Sequence, residues 1–476
     1  MPVPTVPPGA SLLWVIGAVA VVAASAIARE CLGSRVGRQI HRRGTIVRAT
    51  RGARGRVRRR YRAREVARVR LGGVLLRPEE ETRHFKLIGT TGTGKSTAIR
   101  ELLRGALLRG DRAVITDPDA SYLKRFYDRY RGDVILNPFE PHSVRWDPFA
   151  EARTRFDYEE LARGLIPECD EGTAKEWRGY ARTFLSSVLR RCGEAGPRDI
   201  QVLWHLLAVA PAADLHRLLA GTPAHPFLRP ENARMFGSIR SVAVSAIAAL
   251  EYIRWQRAAG FSVRQWVATG RGVLFIPYRA TQIAALRSII ATWMRLAIFE
   301  AMLRHENDAR PLWYVIDELD ALGAIDGLKD ALVRLRKFGG RCVLSFQSAA
   351  QLSSTYGGEA QTIIENCGNT LILRCSASEH GGTSQFASRL IGEREIIRHQ
   401  TARARDLGQP LFARAPRRST QVSELHAIEM AVMPSEIEQL ADFTGYLKTA
   451  CAPHWLLVRL TPERRPAAPW RSITSE

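Results

Sequence analysis

The sequence predicts an α/β fold built on a mostly parallel sheet, with one helical block inserted into it. Three observations carry this. From His84 onward, short apolar runs of strand length alternate with helical stretches, the pattern of βαβ units with helices on both faces of a sheet. One of those runs, His84-Phe85-Lys86-Leu87-Ile88, opens into Gly89-Thr90-Thr91-Gly92-Thr93-Gly94-Lys95-Ser96, which completes the phosphate-loop spacing G-x-x-x-x-G-K-[ST]. The stretch after it, Thr97-Ala98-Ile99-Arg100-Glu101-Leu102-Leu103, has a helical period, so the motif sits between strand and helix as it must. Finally, strand-like patterning disappears from about Ala150 to Arg264.

Ahead of this body, Leu12 to Ala28 (LLWVIGAVAVVAASAIA) is uncharged and apolar, at the short end of what spans a bilayer as a helix. Trp14 sits near one end, where an interfacial aromatic belongs. A secretory signal peptide would need a basic start, and residues 1–11 hold no Lys or Arg. Residues 1–28 are therefore expected to be an extracytoplasmic start and one transmembrane helix. Residues 29–70 form a basic juxtamembrane segment, densest at Arg56-Val57-Arg58-Arg59-Arg60-Tyr61-Arg62. The positive-inside rule makes that side cytoplasmic. Its arginines suit anionic lipid, at roughly 1 kcal/mol each, better than a specific nucleic-acid role.

Residues 71–149 are expected to be the first part of a nucleotide-binding domain. Ala113-Val114-Ile115-Thr116 reads as a second buried strand, ending at Asp117-Pro118-Asp119, and Asp133-Val134-Ile135-Leu136 as a third, ending at Asn137-Pro138. Residues 150–264 are expected to be an all-α inserted domain without strands. Its helices fall over Lys175–Arg191, Asp199–Ala208, Ala212–Ala220 and Asn232–Tyr252, broken at Gly193-Glu194-Ala195-Gly196-Pro197 and Gly221-Thr222-Pro223. Residues 265–462 return to α/β as the second part of the nucleotide-binding domain. Strands are expected over Gly272–Pro277, Leu312–Ile316, Arg341–Phe346 and Thr370–Arg374, and helices over Ala280–His305 and Gly327–Phe338. The charged stretch Arg394–Arg418 reads as a mobile loop. Gly445–Thr449 and Trp455–Leu460 close the fold as short strands, and residues 463–476 form a tail.

The chemistry is carried by two motifs. In the phosphate loop, Gly89 to Thr97 supply backbone N–H groups and a helix N-terminus to phosphates. Lys95 is expected to reach the β and γ phosphates and Ser96 to ligate Mg²⁺. In the second motif, Leu312-Trp313-Tyr314-Val315-Ile316 ends in Asp317-Glu318. An acid at the C-terminal end of a buried parallel strand next to the phosphate loop is where such a fold holds Mg²⁺, here through Asp317. Glu318 is placed to orient or deprotonate an attacking water. ATP and Mg²⁺ are the expected cofactors. Arg336 and Lys337 precede the next strand, on a surface that a ring assembly could turn toward its neighbour's nucleotide. A solvated basic face is the plainer account of them.

Composition narrows the partners. The chain has 476 residues, room for two or three domains, and a formal charge of +23. That excess favours a polyanion, either nucleic acid or an anionic membrane surface, although an Arg-biased proteome would account for part of it. The seven cysteines include no C-x-x-C pair, which argues for reduced thiols and against a disulfide framework or zinc site.

Several blocks in order resemble one family: Gly92-Thr93-Gly94-Lys95-Ser96, Gly110-Asp111-Arg112 leading to Asp117-Pro118, Val134-Ile135-Leu136-Asn137-Pro138, Glu176-Trp177, Ile316-Asp317-Glu318-Leu319, Arg336-Lys337, Gln347-Ser348, Leu390-Ile391-Gly392-Glu393 and Val432-Met433-Pro434-Ser435-Glu436-Ile437. The chain resembles, from about Leu71 to Leu460, the type IV secretion coupling proteins, conjugative ATPases of the TrwB/TraD kind. The resemblance implies a RecA-like P-loop NTPase domain with a membrane-distal all-α insertion. It also implies a homo-hexamer around a channel in the bacterial inner membrane, with its main body in the cytoplasm, and DNA-driven ATP hydrolysis. By residue match, Lys95, Ser96, Asp317, Glu318 and Gln347 take the nucleotide roles. Gln347, which ends the strand after the acidic one, would contact the γ-phosphate or its water and pass the change on. Arg336 is the candidate arginine finger. Such proteins usually begin with two transmembrane helices, whereas this chain shows one. Either the start codon is assigned too late or this is a single-span variant.

The leading expectation is an inner-membrane, DNA-dependent ATPase that links a relaxosome to a type IV secretion channel and helps move single-stranded DNA. Its expected partners are that DNA (alternatively double-stranded), the relaxase and the channel's inner-membrane components. A double-stranded DNA translocase of the chromosome-segregation type would be expected to carry a long linker or winged-helix module. The alternative from another class is a membrane receptor that recruits protein effectors to the channel.

Overall fold

The computed structural model describes residues 40–49, 68–168, 172–304, 310–378, 382–405 and 418–462. The apolar run Leu12–Ala28, most of the basic segment and the tail lie outside them. Among the described residues, no helix is long and apolar enough to cross a membrane.

Strands are numbered in chain order. β1 (Ile40–Gly44) and β2 (Val47–Ala49) come first, β3 (Arg70–Leu71) and β4 (Val74–Leu75) pair with each other, and β5 (Phe85–Ile88) enters the phosphate loop. β6 (Arg112–Pro118), β7 (Val134–Ile135) and β8 (Arg145–Trp146) precede the helical block, and β9 (Gly260–Phe261) lies near its end. β10 (Val273–Tyr278), β11 (Leu312–Ile316), β12 (Gly340–Phe346) and β13 (Asn369–Ile372) follow. β14 (Glu393–Arg405) and β15 (Arg418–Met430) form a hairpin, and β16 (Thr444–Lys448) and β17 (Trp455–Arg459) come last.

Ten strands make one sheet in the order β2-β17-β16-β13-β5-β12-β11-β6-β10-β7. Every neighbouring pair from β13 to β7 is parallel, while β16 runs against both β13 and β17. The expected α/β architecture is present. Every residue of β5, β11 and β12 is buried. Burial on both faces explains why these strands read as unbroken apolar runs. The acid-bearing strand β11 is separated from the phosphate-loop strand β5 by β12.

Two helices cover the sheet for different sequence reasons. Lys95–Leu108 buries Ala98, Ile99, Leu102, Leu103 and Ala106, a helical stripe, in the core with Phe85, Leu87, Trp313 and Val315. Ile283–Met302 is buried on almost every side, so its residues show little amphipathic contrast. Where β5, β6 and β12 begin, Arg109 pairs with Glu81 (2.7 Å) and Asp111, Arg341 pairs with Glu81 (3.1 Å), and Trp313 Nε1 donates to Asp111 (2.9 Å). That network gives Gly110-Asp111-Arg112 its structural purpose. Arg112 itself lies 4.5 Å from the Trp266 ring and donates to the Val267 carbonyl (2.9 Å).

Between β8 and β10 the chain is helical, with Phe184, Leu185, Val188, Leu203, Phe236 and Ile239 among its buried residues. Two details differ from expectation. β9 is a strand inside the stretch expected to have none, and it pairs in parallel with β8. Two residues, one of them glycine, are too few to show an alternation. The expected helix Asn232–Tyr252 is two, Ala233–Ala246 and Ala249–Ile253, and Ser288 Oγ donates to the Ala246 carbonyl (2.8 Å) at the break.

Residues 40–46 belong with 391–405 and 418–432 in a separate compact unit. The sequence-based division had placed the latter stretches in the second nucleotide-binding part. The unit is a three-stranded antiparallel sheet, β1-β14-β15, with β14 and β15 in register from Glu393 opposite Met430 to Arg405 opposite Arg418. The expected loop Arg394–Arg418 is thus corrected at both ends, and its middle, 406–417, lies outside the described residues. The strands escaped notice because charge pairs substitute for apolar alternation. Glu429 accepts from Arg394 (2.9 Å) and Arg398 (3.0 Å), and Glu395 faces His426 (3.2 Å).

A Cβ on Gly105 would stand 2.7 Å from both the Arg68 carbonyl oxygen and Val69 Cα. Alanine gains about 1 kcal/mol of helix propensity, but a backbone collision in a packed core costs about 1–3 kcal/mol. Gly105→Ala should therefore be no more stable than the native protein in urea unfolding and up to about 2 kcal/mol less stable. A clear gain in stability would refute this close approach.

Candidate functional site

The phosphate loop is shaped by its backbone. Gly94 caps the helix Lys95–Leu108 at φ +116, a conformation side chains disfavour, and a Cβ there would press within 3.0 Å of the Phe443 ring. Thr93 Oγ1 closes the loop onto the Thr90 carbonyl (2.8 Å), and Thr90 N–H donates to the Arg374 carbonyl (2.9 Å). Lys95 is buried, with Nζ donating to the carbonyls of Gly89 (2.6 Å) and Thr90 (3.1 Å). Burial lowers its pKa, and Asp317 and Glu318 oppose that shift.

Asp317 follows β11 and faces this loop. Its Oδ2 accepts from Ser96 Oγ (3.2 Å) and Tyr122 OH (2.6 Å), and its Oδ1 accepts from Ser345 Oγ. Ser96 and Asp317, the two residues expected to hold Mg²⁺, are thus in direct contact. A hydroxyl and a carboxylate fit that hard cation, and Tyr122 and Ser345 orient the carboxylate from behind.

Glu318 sits at φ +58, strained for a non-glycine residue. Its N–H donates to Ser345 Oγ (3.1 Å), and the Leu319 N–H donates to the Ser345 carbonyl (2.9 Å). These contacts turn the chain out of β11 and bring the Glu318 carboxyl to the loop. Partial burial raises its pKa first, and repulsion by Asp317 adds to that. A more basic carboxylate suits proton abstraction near neutrality.

The intervening strand accounts for Gln347. β12 delivers it between the other two motifs, where its Oε1 accepts from Thr91 Oγ1 (2.9 Å) and its Nε2 donates to Glu318 Oε1 (3.4 Å). Thr91, Gly92, Gly94, Lys95, Ser96, Thr97, Asp317, Glu318 and Gln347 share one cavity with Phe443. Gly89, Thr90 and Thr93 build the loop behind it. Arg336 is elsewhere. It is exposed on the short turn Leu335–Phe338 just before β12 begins, at the opposite end of that strand from Gln347. There its charge, after burial, helps lower the pKa of His84, which precedes β5, to about 4. The fold does not bring Arg336 to the nucleotide cavity of its own chain.

Sequence reasoning missed Tyr122, Ser345 and Phe443, and gave Asp117 no role. Phe443, at φ +61, donates its N–H to the Thr93 carbonyl (2.9 Å). Asp117 is fully buried and accepts from the N–H groups of Tyr122 (2.9 Å) and Leu123 (2.6 Å), which sets the turn that aims Tyr122. Its sequence signals were its place at the end of a strand and in the Asp117-Pro118 block of the resemblance.

Loop, buried lysine, strand-end acid and bridging glutamine, with one strand between the two motifs, define a P-loop protein of the RecA-like NTPase class. Comparison with known proteins narrows the class. The family described as "Type IV secretion-system coupling protein DNA-binding domain" matches residues 68–460, and the chain belongs to it. It is 32% identical over 339 residues to the coupling protein TraD of Escherichia coli (strain K12), covering 69% of this chain and 46% of that protein. The chain thus spans about half the length of the curated relatives it matches. Among solved structures, the bacterial conjugative coupling protein TrwBdeltaN70 in an unbound form superposes with a TM-score of 0.75 at 29% identity, over 90% of this chain and 96% of that one. TrwB in complex with ADP and Mg²⁺ does so at 0.74 and 31% identity, over 90% and 96%.

Burial raises the pKa of Asp117 to about 7, against the backbone hydrogen bonds that favour its charge. Below the ordinary aspartate range, folded and unfolded chains both hold this proton. Between there and about 7 only the fold retains it, so stability falls as pH rises, and above 7 the loss is complete. Raising the pH from about 5 to about 8 should therefore favour Asp117→Asn over the native protein by roughly 3 kcal/mol in urea unfolding. A pH-independent difference would show that Asp117 is ionised throughout.

Proposed function

We propose that this chain is an inner-membrane, DNA-dependent ATPase that couples a relaxosome to a type IV secretion channel and helps move single-stranded DNA in conjugation. The observation that carries the hydrolytic part is the Thr91–Gln347–Glu318 chain of hydrogen bonds, which joins the phosphate loop to the acid beside the expected attacking water. Family membership and the excess of positive charge support the DNA part. TrwB, the structural relative, has been captured with the ATP analogue ADPNP and with ADP and Mg²⁺, and the same cofactors are assigned here.

The residues divide the work. Backbone N–H groups from Gly89 to Thr97 and the Lys95 ammonium receive the phosphates. Ser96 and Asp317 would hold Mg²⁺, which would neutralise negative charge on the phosphates. Glu318 takes the proton of the attacking water, and Gln347, touching both loop and acid, senses the γ-phosphate and relays its loss. Arg336 acts only in trans: a homo-hexamer would present it to the neighbouring copy's nucleotide. Leu12–Ala28 anchors the chain in the inner membrane, with the body in the cytoplasm.

The test is ATP hydrolysis by the full-length chain in detergent, with and without single-stranded DNA. Lys95→Ala and Glu318→Gln should each lower turnover by about 10²–10⁴-fold, with Glu318→Gln still binding nucleotide. DNA should stimulate the native protein, less so as salt rises. Hydrolysis indifferent to DNA would overturn the DNA reading in favour of a receptor for protein effectors.

A further inference from the structure

Away from the nucleotide cavity, one surface cluster combines open aromatic rings with cations. Phe139, in the loop after β7, donates its N–H to Asn137 Oδ1 (2.8 Å), which fixes the turn. Its ring packs against Tyr252, near the end of the helix Ala249–Ile253, with centroids 4.6 Å apart. Trp255 follows one turn later and is 67% exposed, and Tyr252 is 41% exposed. The Arg254 guanidinium lies 5.4 Å from the Trp204 ring and 4.7 Å from the Trp255 ring. A cation braced by a buried indole thus backs an indole that remains open to solvent. Arg257 is exposed and lines the same cavity as Phe139, Tyr252 and Trp255. Two acids border the cluster: Glu140 in the cavity, and Glu251 at 4.0 Å from Arg254.

Large exposed aromatics in a patch call for a partner. Rings with open faces beside guanidinium groups match the chemistry of unpaired nucleotides, whose bases stack and whose phosphates pair with arginine. Trp, Tyr and Arg also dominate protein hot spots, but Arg254 and Arg257 in the cluster, with Lys124 and Arg279 close enough to act on Glu140, supply the cations that a polyanion needs. We propose that Phe139, Tyr252, Trp255 and Arg257 form a base-stacking platform for single-stranded DNA, with Trp255 as its principal ring. This rests on the DNA reading above and deepens it by giving the strand a place on the chain.

Binding of fluorescein-labelled oligothymidylate to the full-length chain tests the platform. Trp255→Ala should weaken binding about tenfold or more, the loss of one stacked base, and Trp255→Phe should restore most of it. An abasic oligonucleotide of equal length should bind the native protein and Trp255→Ala alike, because it offers phosphates without rings. Hydrolysis in the absence of DNA should not change. If native protein binds oligothymidylate and Trp255→Ala binds it within about twofold, the platform is refuted while the DNA reading stands. If native protein binds no oligonucleotide, the DNA reading fails and takes the platform with it. A changed oligomeric state of Trp255→Ala in sedimentation would refute the proposal by marking a contact between copies.

Discussion

The functional end of the sheet depends on one buried anion, the Asp317 carboxylate. It accepts from Ser96 on the helix after the phosphate loop, Tyr122 on the segment after β6, and Ser345 on β12. Hydrogen bonds to an ionised group contribute about 1.5–3 kcal/mol each, and a buried carboxylate without them would carry a desolvation cost of several kcal/mol. The strand order follows from this need. With β12 between β5 and β11, Ser345 can reach Asp317 sideways and the same strand can end in Gln347 at the loop. With β6 on the other side, Asp117 can turn the chain so that Tyr122 comes in from below.

The same constraint separates rigid parts from responsive ones. Lys95, Ser96 and Asp317 are locked by short contacts to backbone or to one another. Glu318 and Gln347 are held more loosely, joined at 3.4 Å and open to the cavity. Strain at Glu318 is sustained by Ser345, so the strand that fixes the carboxylate behind the loop also presents the acid in front of it. Arg336, at the far end of β12, belongs to none of this within one chain.

What was legible in the sequence was local. The phosphate loop, the strand before it and the helix after it are contiguous, and glycine at a left-handed cap leaves a fixed spacing. Asp317 and Glu318 were legible because a two-face-buried strand ends in them. Tyr122, Ser345 and Phe443 were not, since their importance comes from strand order and no neighbour in sequence marks it. The β14–β15 hairpin is illegible for a different reason: charged cross-strand partners such as Arg394 and Glu429 interrupt the apolar alternation that would mark its strands. At β9 the pairing was too short to leave any pattern.

The closure of both larger sheets joins the two extremes of the described chain. β1 pairs with β14, and Thr45 bonds to a carbonyl 346 residues downstream; β2 pairs with β17. A chain emerging from the ribosome therefore makes its first strands long before their partners exist. Those strands must wait, with open hydrogen-bonding edges, through synthesis of nearly the whole described body. Early proteolysis or chaperone capture would fall on these waiting edges, and a product truncated before β14 and β17 would keep the phosphate loop while leaving both sheets unclosed.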